Sequence, residues 1–176
     1  RSHMAVAKKL VIRAAAGGPI ATGHAMRCLA LAQAWQEEVE PSFYVTATEA
    51  PAIESRFTSE GFEVMHIEGP PGSPDDAIET SNVARELSAA WLVVDGYHFG
   101  ADYQRIVKGA GLNLMVVDDN GHAEHYYADL VLNQNLYADH DMYAHREPGT
   151  QLLLGSRYVL LRREFWPQRG WHRKTR

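Results

Sequence analysis

The sequence predicts a doubly wound, mostly parallel α/β sheet. Short strand-like apolar runs alternate with helical runs along the whole chain. Two of those apolar runs, Trp91-Leu-Val-Val-Asp95 and Asn113-Leu-Met-Val-Val-Asp118-Asp119, are continuous and end in carboxylates. Continuous apolar runs belong to strands covered on both faces, and alternation at this spacing builds right-handed parallel crossovers. The 176 residues suit one domain and are marginal for two.

The elements follow in order. Lys8 to Ala14 is a β-branched apolar run that reads as the first strand. Ala15 to Thr22, with Gly17-Gly18-Pro19, reads as a loop. His24 to Glu38 reads as a helix, because Cys28, Leu31, Ala32 and Trp35 share one face. Pro41 stops it, and Ser42 to Thr46 is the second strand. Ala50 to Glu60 suits a helix ended by Gly61, followed by a strand from Phe62 to Ile67. Gly69-Pro-Pro-Gly-Ser-Pro74 is a loop, and Asp75 or Asp76 is expected to cap the helix that runs to about Ala90. A helix from about Ala101 to Lys108 separates the two carboxylate-ended strands, and Leu130 to Asn133 and Gln151 to Leu154 complete the set.

Composition narrows the function. No run of about 18 apolar residues occurs, so no membrane-spanning helix is expected. One cysteine, Cys28, cannot form an internal disulfide, and a cytoplasmic setting is expected. Seven of the 17 Lys and Arg residues lie from Arg157 onward against one acid, Glu164. Residues 1–156 therefore hold ten basic and 21 acidic groups. So acidic a body would repel a nucleic-acid backbone, and no nucleic-acid partner is expected. Arg1-Ser2-His3-Met4 reads as a cloning remnant, and the basic end over 161–176 as a linker.

In doubly wound sheets, ligands bind beyond the carboxyl ends of the strands, where strand order reverses. Four sets of polar residues would line that edge: the Gly17–Arg27 loop, Asp95 to His98, Asp118 to Asn120, and Asn133 to Asn135. Gly23 and His24 are expected at a helix start, where free N–H groups and the dipole suit an anion and disfavour an imidazolium. A neutral His24 there can act as a general base, and Arg27 one turn on would add positive charge. Tyr97 would orient His24 or meet a sugar hydroxyl. Asp95 and Asp118 divide between turn capping and function. Cys28 belongs to the core. His122, Glu124 and His125 lack the spacing of helical zinc sites, so no metal is expected. Neither a dinucleotide fingerprint, a P-loop nor a Gly-x-Ser-x-Gly elbow is present.

These residues resemble a family. Ile12-Arg13 with Ile20-x-x-Gly23-His24-x-x-Arg27-Cys28-Leu29-x-Leu31-Ala32 looks like the opening of the UDP-sugar hydrolases of pseudaminic acid biosynthesis and of related spore-coat polysaccharide proteins. Val94-Asp95-x-Tyr97, Val117-Asp118-Asp119, Asp129-Leu-Val-Leu-Asn133-x-Asn135 and Tyr158-x-Leu-Leu-Arg162-x-Glu164-Phe165 continue the match in order. The resemblance implies a Rossmann-like N-terminal domain over residues 5–160 of a two-domain, GT-B-type architecture, with the C-terminal domain as partner beyond the basic linker. It also implies hydrolysis of a UDP-linked diacetamido-trideoxy-altropyranose without a cofactor. His24 is then the base that activates water and Tyr97 its helper. Arg13, Gly23, Arg27, Asp95, Asp119 and Asn135 are the expected substrate contacts. Two positions depart from the family: Ala15 stands where it has an aspartate, and Ala21 where it has a glycine. A glycosyltransferase of the same architecture and a non-catalytic nucleotide-sugar-binding module are the alternatives.

Overall fold

A computed structural model describes residues 8–15, 18–38 and 42–168. Seven parallel strands form one sheet: β1 (Lys9–Ala14), β2 (Ser42–Thr46), β3 (Glu63–His66), β4 (Ala89–Asp95), β5 (Leu114–Val117), β6 (Leu130–Asn133) and β7 (Gln151–Leu154). Their spatial order is β3-β2-β1-β4-β5-β6-β7. Order reverses between β1 and β4, which is where such a sheet opens a crevice. Register brings Ala14 opposite Asp95, and Asp95 opposite Val117, so the carboxyl ends of β1, β4 and β5 form one rim.

Alternation along the strands divides the core in two. Val11, Val45, Leu92, Val94, Leu114 and Val116 face α3 (Pro74–Glu86) and α4 (Ala101–Gly109). Leu10, Ile12, Tyr44, Val93, Met115 and Val117 face α1 (Gly18–Glu38) and α2 (Pro51–Ser59). Burial on both faces explains the continuous apolar runs of β4 and β5. Among the described residues no helix is long and apolar enough to cross a membrane.

Two expectations change. α1 begins at Gly18 rather than at His24. Pro19 falls in the first turn, where a missing N–H costs nothing and a fixed φ favours the helix, so a loop-like signature opens a helix instead. The helix start expected at Gly23 and His24 is therefore absent, and both residues lie inside the helix. The cap of α3 is Ser73, whose hydroxyl accepts from the Asp76 amide, with Pro74 next in the first turn.

Asp76 serves a different purpose. Its carboxylate receives Arg13 Nε at 3.0 Å and Nη2 at 2.8 Å, both partners being fully buried. The Thr80 and Tyr103 hydroxyls and the Gly72 amide donate to the same carboxylate. A buried pair so completely satisfied joins β1, α3 and α4 beneath the rim. Beyond β7, residues 161–168, expected to belong to the linker, fold back on α1 and α2. The Arg163 amide donates to Gln33 at 2.7 Å, and Arg163 and Glu60 form an ion pair. The expected remnant at residues 1–4 and the linker residues 169–176 lie outside the described residues.

Removing one partner of a buried ion pair strands the other charge, at a cost of about 3–5 kcal/mol. Asp76→Ala should accordingly lower unfolding free energy by about that amount in a urea titration. An unchanged midpoint would remove Arg13–Asp76 from the foundations of the fold.

Candidate functional site

The rim carries one fully buried carboxylate, Asp95, at the end of β4. From α1, Arg27 donates to it twice, Nε to Oδ2 at 2.5 Å and Nη2 to Oδ1 at 2.6 Å. His24, one turn earlier on the same helix, brings Nδ1 to within 2.7 Å of Oδ1. Cys28, one residue after Arg27, places Sγ 3.5 Å from Oδ2. The i, i+3, i+4 spacing puts all three on the helix face above the strand.

Arg27 reaches further. Its Nη1 donates to Asp119 at 2.7 Å, and Asn135 Nδ2 donates to the same Asp119 oxygen at 2.8 Å. Burial opposes the charge on Arg27, but hydrogen bonds to Asp95 and Asp119 outweigh it and raise its pKa, so the guanidinium stays charged. Burial likewise pushes Asp119 upward, and the bonds from Arg27 and Asn135 bring it below its ordinary value. Burial and the adjacent Asp95 hold the Cys28 thiol in its protonated form. Cys28 is a core residue here.

His24 is the buried imidazole of this network. Its Nδ1 has the Asp95 carboxylate at 2.7 Å and Arg27 Nη2 at 3.0 Å. Nδ1 thus stands between a carboxylate and a guanidinium that can only donate. His24 Nε2 is buried and has no hydrogen-bond partner. Tyr97, half exposed, stands edge-on to the His24 ring, with centroids 5.3 Å apart. Gly23, His24, Arg27, Tyr97, Asp119, Gln134 and Asn135 line one open cleft of about 300 Å³.

Seven of the eight expected site residues are therefore grouped here: His24, Tyr97, Gly23, Arg27, Asp119 and Asn135 on the cleft wall, and Asp95 directly behind it. Arg13 is not among them, because Asp76 holds its guanidinium beneath the rim. The helix-start anion site expected at Gly23 is replaced by side-chain chemistry, since α1 starts earlier. Arg27 is turned to Asp95 and Asp119 rather than left free for a diphosphate.

Asp118 resolves as a capping residue. It accepts from the amides of Asp119, Asn120 and Gly121, from Tyr126 Oη at 2.6 Å and from His122 Nδ1 at 2.9 Å. Sequence reasoning considered His122 only as a metal ligand. The four-residue spacing from Asp118 was the available signal for their pairing. Among the described residues no three His, Cys, Asp or Glu side chains gather as a metal-binding group, and His125 pairs with Glu147 at 2.9 Å.

The Asp118–His122 pair makes loop stability pH-dependent. Burial alone would push the Asp118 carboxyl up, yet the bonds from His122 and Tyr126 bring it well below its ordinary value. Burial pulls the His122 imidazole down, and Asp118 more than restores it, leaving its pKa raised. The carboxylate's contribution is present above about pH 4 and is lost as pH falls through its depressed pKa. The imidazole's is full below about pH 6.5 and is lost as pH rises through its raised pKa. Thermal unfolding should therefore show Asp118→Asn least stable relative to wild type between about pH 4 and 6.5, by about 1.5–3 kcal/mol. A gap independent of pH would contradict the pairing.

No family model matches the chain, and no curated protein matches it. Among solved structures it is similar to MurG of Acinetobacter baumannii, with a TM-score of 0.51, 12% identity, and coverage of 72% of this chain and 41% of that one. A UGT transferase from Siraitia grosvenorii in complex with UDP gives a TM-score of 0.47 and 15% identity, over 65% of this chain and 29% of that one. The chain thus spans less than half the length of these proteins. At such identity the likeness to MurG shows the fold alone, a parallel α/β domain.

Proposed function

We propose that this chain is the cleft-lining domain of an enzyme acting on nucleotide sugars, with His24 as its general base. The observation that carries the reading is the His24 ring, its Nδ1 2.7 Å from Asp95 and its Nε2 unpartnered, at the switch point of the sheet. A base so placed removes the proton from the nucleophile as that oxygen attacks the anomeric carbon, and the bond to the nucleoside diphosphate breaks with the electron pair leaving on UDP. A diphosphate leaving group needs little protonation, so one base suffices on this side of the cleft. Asp95 acts as the orienting carboxylate, and Tyr97 limits the ring's movement.

The fold shared with MurG favours an acceptor hydroxyl as nucleophile, and therefore glycosyl transfer. The Gly23-His24 and Asp95-x-Tyr97 residues favour water, and therefore hydrolysis of a UDP-linked diacetamido-trideoxy sugar, as in the family resembled. Ala15 is consistent with a sugar different from that family's.

The test is UDP release from a panel of UDP-sugars by the protein carrying this domain, with and without added sugar acceptors. His24→Gln should lower turnover by about 10²–10⁴-fold while UDP affinity is retained. Release that requires an acceptor identifies a transferase, and release in water alone a hydrolase. Undiminished turnover in His24→Gln would refute the base, and UDP binding without any release would leave a binding module.

Tyr97→Phe and Tyr97→Ala separate two roles. If the ring packs against His24, Phe should keep turnover within about threefold, whereas Ala should lose about tenfold or more. Equal losses would instead assign the function to the phenol hydroxyl.

A further inference from the structure

Two side-chain amides stand next to each other on the His24 cleft just after β6, and they are committed differently. Asn135 spends its Nδ2 protons inward, on Asp119 Oδ1 at 2.8 Å and on Asn133 Oδ1 at 2.9 Å. Gln134 is anchored by its oxygen instead. The Leu160 amide donates to Gln134 Oε1 at 2.9 Å. A backbone N–H can only donate, so this bond fixes which end of the side-chain amide is which. The Nε2 end, with its two protons, is left to the cleft that Gln134 lines, and no acceptor among the described residues takes them. Gln134 is half-buried, so a ligand in the cleft can reach it.

The anchor belongs to a built arrangement. After β7 the Gly155 amide donates to the Asn133 carbonyl at 2.9 Å, and a φ of +98° at this glycine turns the chain back over the α1 face of the sheet. Tyr158 and Leu160 pack against the core on that face. The Leu160 amide then meets Gln134, and the Arg163 amide meets Gln33 Oε1 at 2.7 Å. Two side-chain oxygens thus hold one strap, and the strap holds Gln134 in return. A donor preset in this way loses less freedom on meeting a ligand than a mobile glutamine would.

The charges on the same wall are already matched. Arg27 is taken by Asp95 and Asp119, so one guanidinium stands against two carboxylates. Such a wall gives a phosphate no excess positive charge, and an uncharged donor there suits an uncharged acceptor. We propose that Gln134 is a specificity-determining residue of this cleft, its Nε2 donating to an uncharged oxygen, hydroxyl or acyl carbonyl, on the sugar of a nucleotide sugar. The class of ligand rests on the proposed function. The role of Gln134 concerns binding and is separate from that of His24 as base.

The experiment is calorimetric titration of the protein carrying this domain with UDP, UDP-glucose, UDP-galactose and UDP-N-acetylglucosamine, for wild type, Gln134→Glu and Gln134→Ala. Glutamate keeps an oxygen for the Leu160 amide and replaces the donor by a second oxygen, whereas alanine removes both. At least one UDP-sugar should bind wild type more tightly than UDP does. Gln134→Glu should reduce that advantage by about tenfold or more, the loss of one hydrogen bond, while UDP affinity and hydrogen exchange of the Leu160 amide stay unchanged. Gln134→Ala should lose the same advantage and speed Leu160 exchange. An intact advantage in Gln134→Glu, an equal loss for UDP alone, or no advantage from any of the three sugars would each overturn the assignment. A loss confined to Gln134→Ala would make Gln134 an anchor of the strap only, and would overturn it as well. Loss of the sugar advantage in Gln134→Glu with full turnover in His24→Gln would sink the base and leave Gln134 standing. The reverse pair of results would leave the base and remove Gln134.

Discussion

The whole candidate site depends on one carboxylate removed from water. Asp95 ends β4 at the reversal of strand order, and with no exposure it must be neutralised and hydrogen-bonded where it stands. Arg27 does this through two charge-assisted bonds, and in doing so fixes the rotation of α1 about its axis. Once the helix is held that way, His24 can point only toward the same carboxylate. The orientation of the His24 ring thus follows from an electrostatic obligation of the sheet. Arg27 then extends the obligation sideways to Asp119 and Asn135, tying the ends of β4, β5 and β6 into one rim.

Beneath that rim the Arg13–Asp76 pair performs the matching task for the opposite face. β1 lies inside the sheet between β2 and β4, and its Arg13 reaches α3, while Tyr103 of α4 donates to the same carboxylate. Buried ion pairs add little net stability compared with a well-packed apolar core, but each permits only one arrangement of its partners. Here they set the heights at which α1 and α3 sit over the sheet. The position of the cleft follows from those heights.

The two His–Asp pairs differ in what stands behind them. Asp95 is held by side chains of α1, so His24 shares its carboxylate with an arginine. Asp118 is held by the backbone of its own turn and by Tyr126, and His122 Nδ1 shares it with no arginine. The same residue pair is thus placed in one case by a helix and in the other by a loop. Tyr97 touches both rings and divides the space between them.

Much of this was legible in the chain. Continuous apolar runs closed by Asp95 and Asp118 report strands buried on both faces, and their alternation with helical runs is sufficient for a parallel sheet. Rim residues could then be named, because side chains just beyond buried strands must lie at the carboxyl edge. What local patterning could not supply was the identity of charge partners. Whether Arg13 turns to a ligand or to Asp76, 63 residues away, is decided by which group the fold brings within reach and leaves dry. The start of α1 was misread for a similar reason, since Gly17-Gly18-Pro19 serves a loop or a helix start equally well until packing chooses. The sequence by itself therefore determined the sheet, its two-sided core and the edge where the candidate residues gather, because periodicity and burial are local properties of a chain. Only the tertiary structure decided which carboxylate holds which cation, and hence that His24 lies against Asp95 with Tyr97 beside it, because desolvation and ion pairing act between residues far apart in sequence.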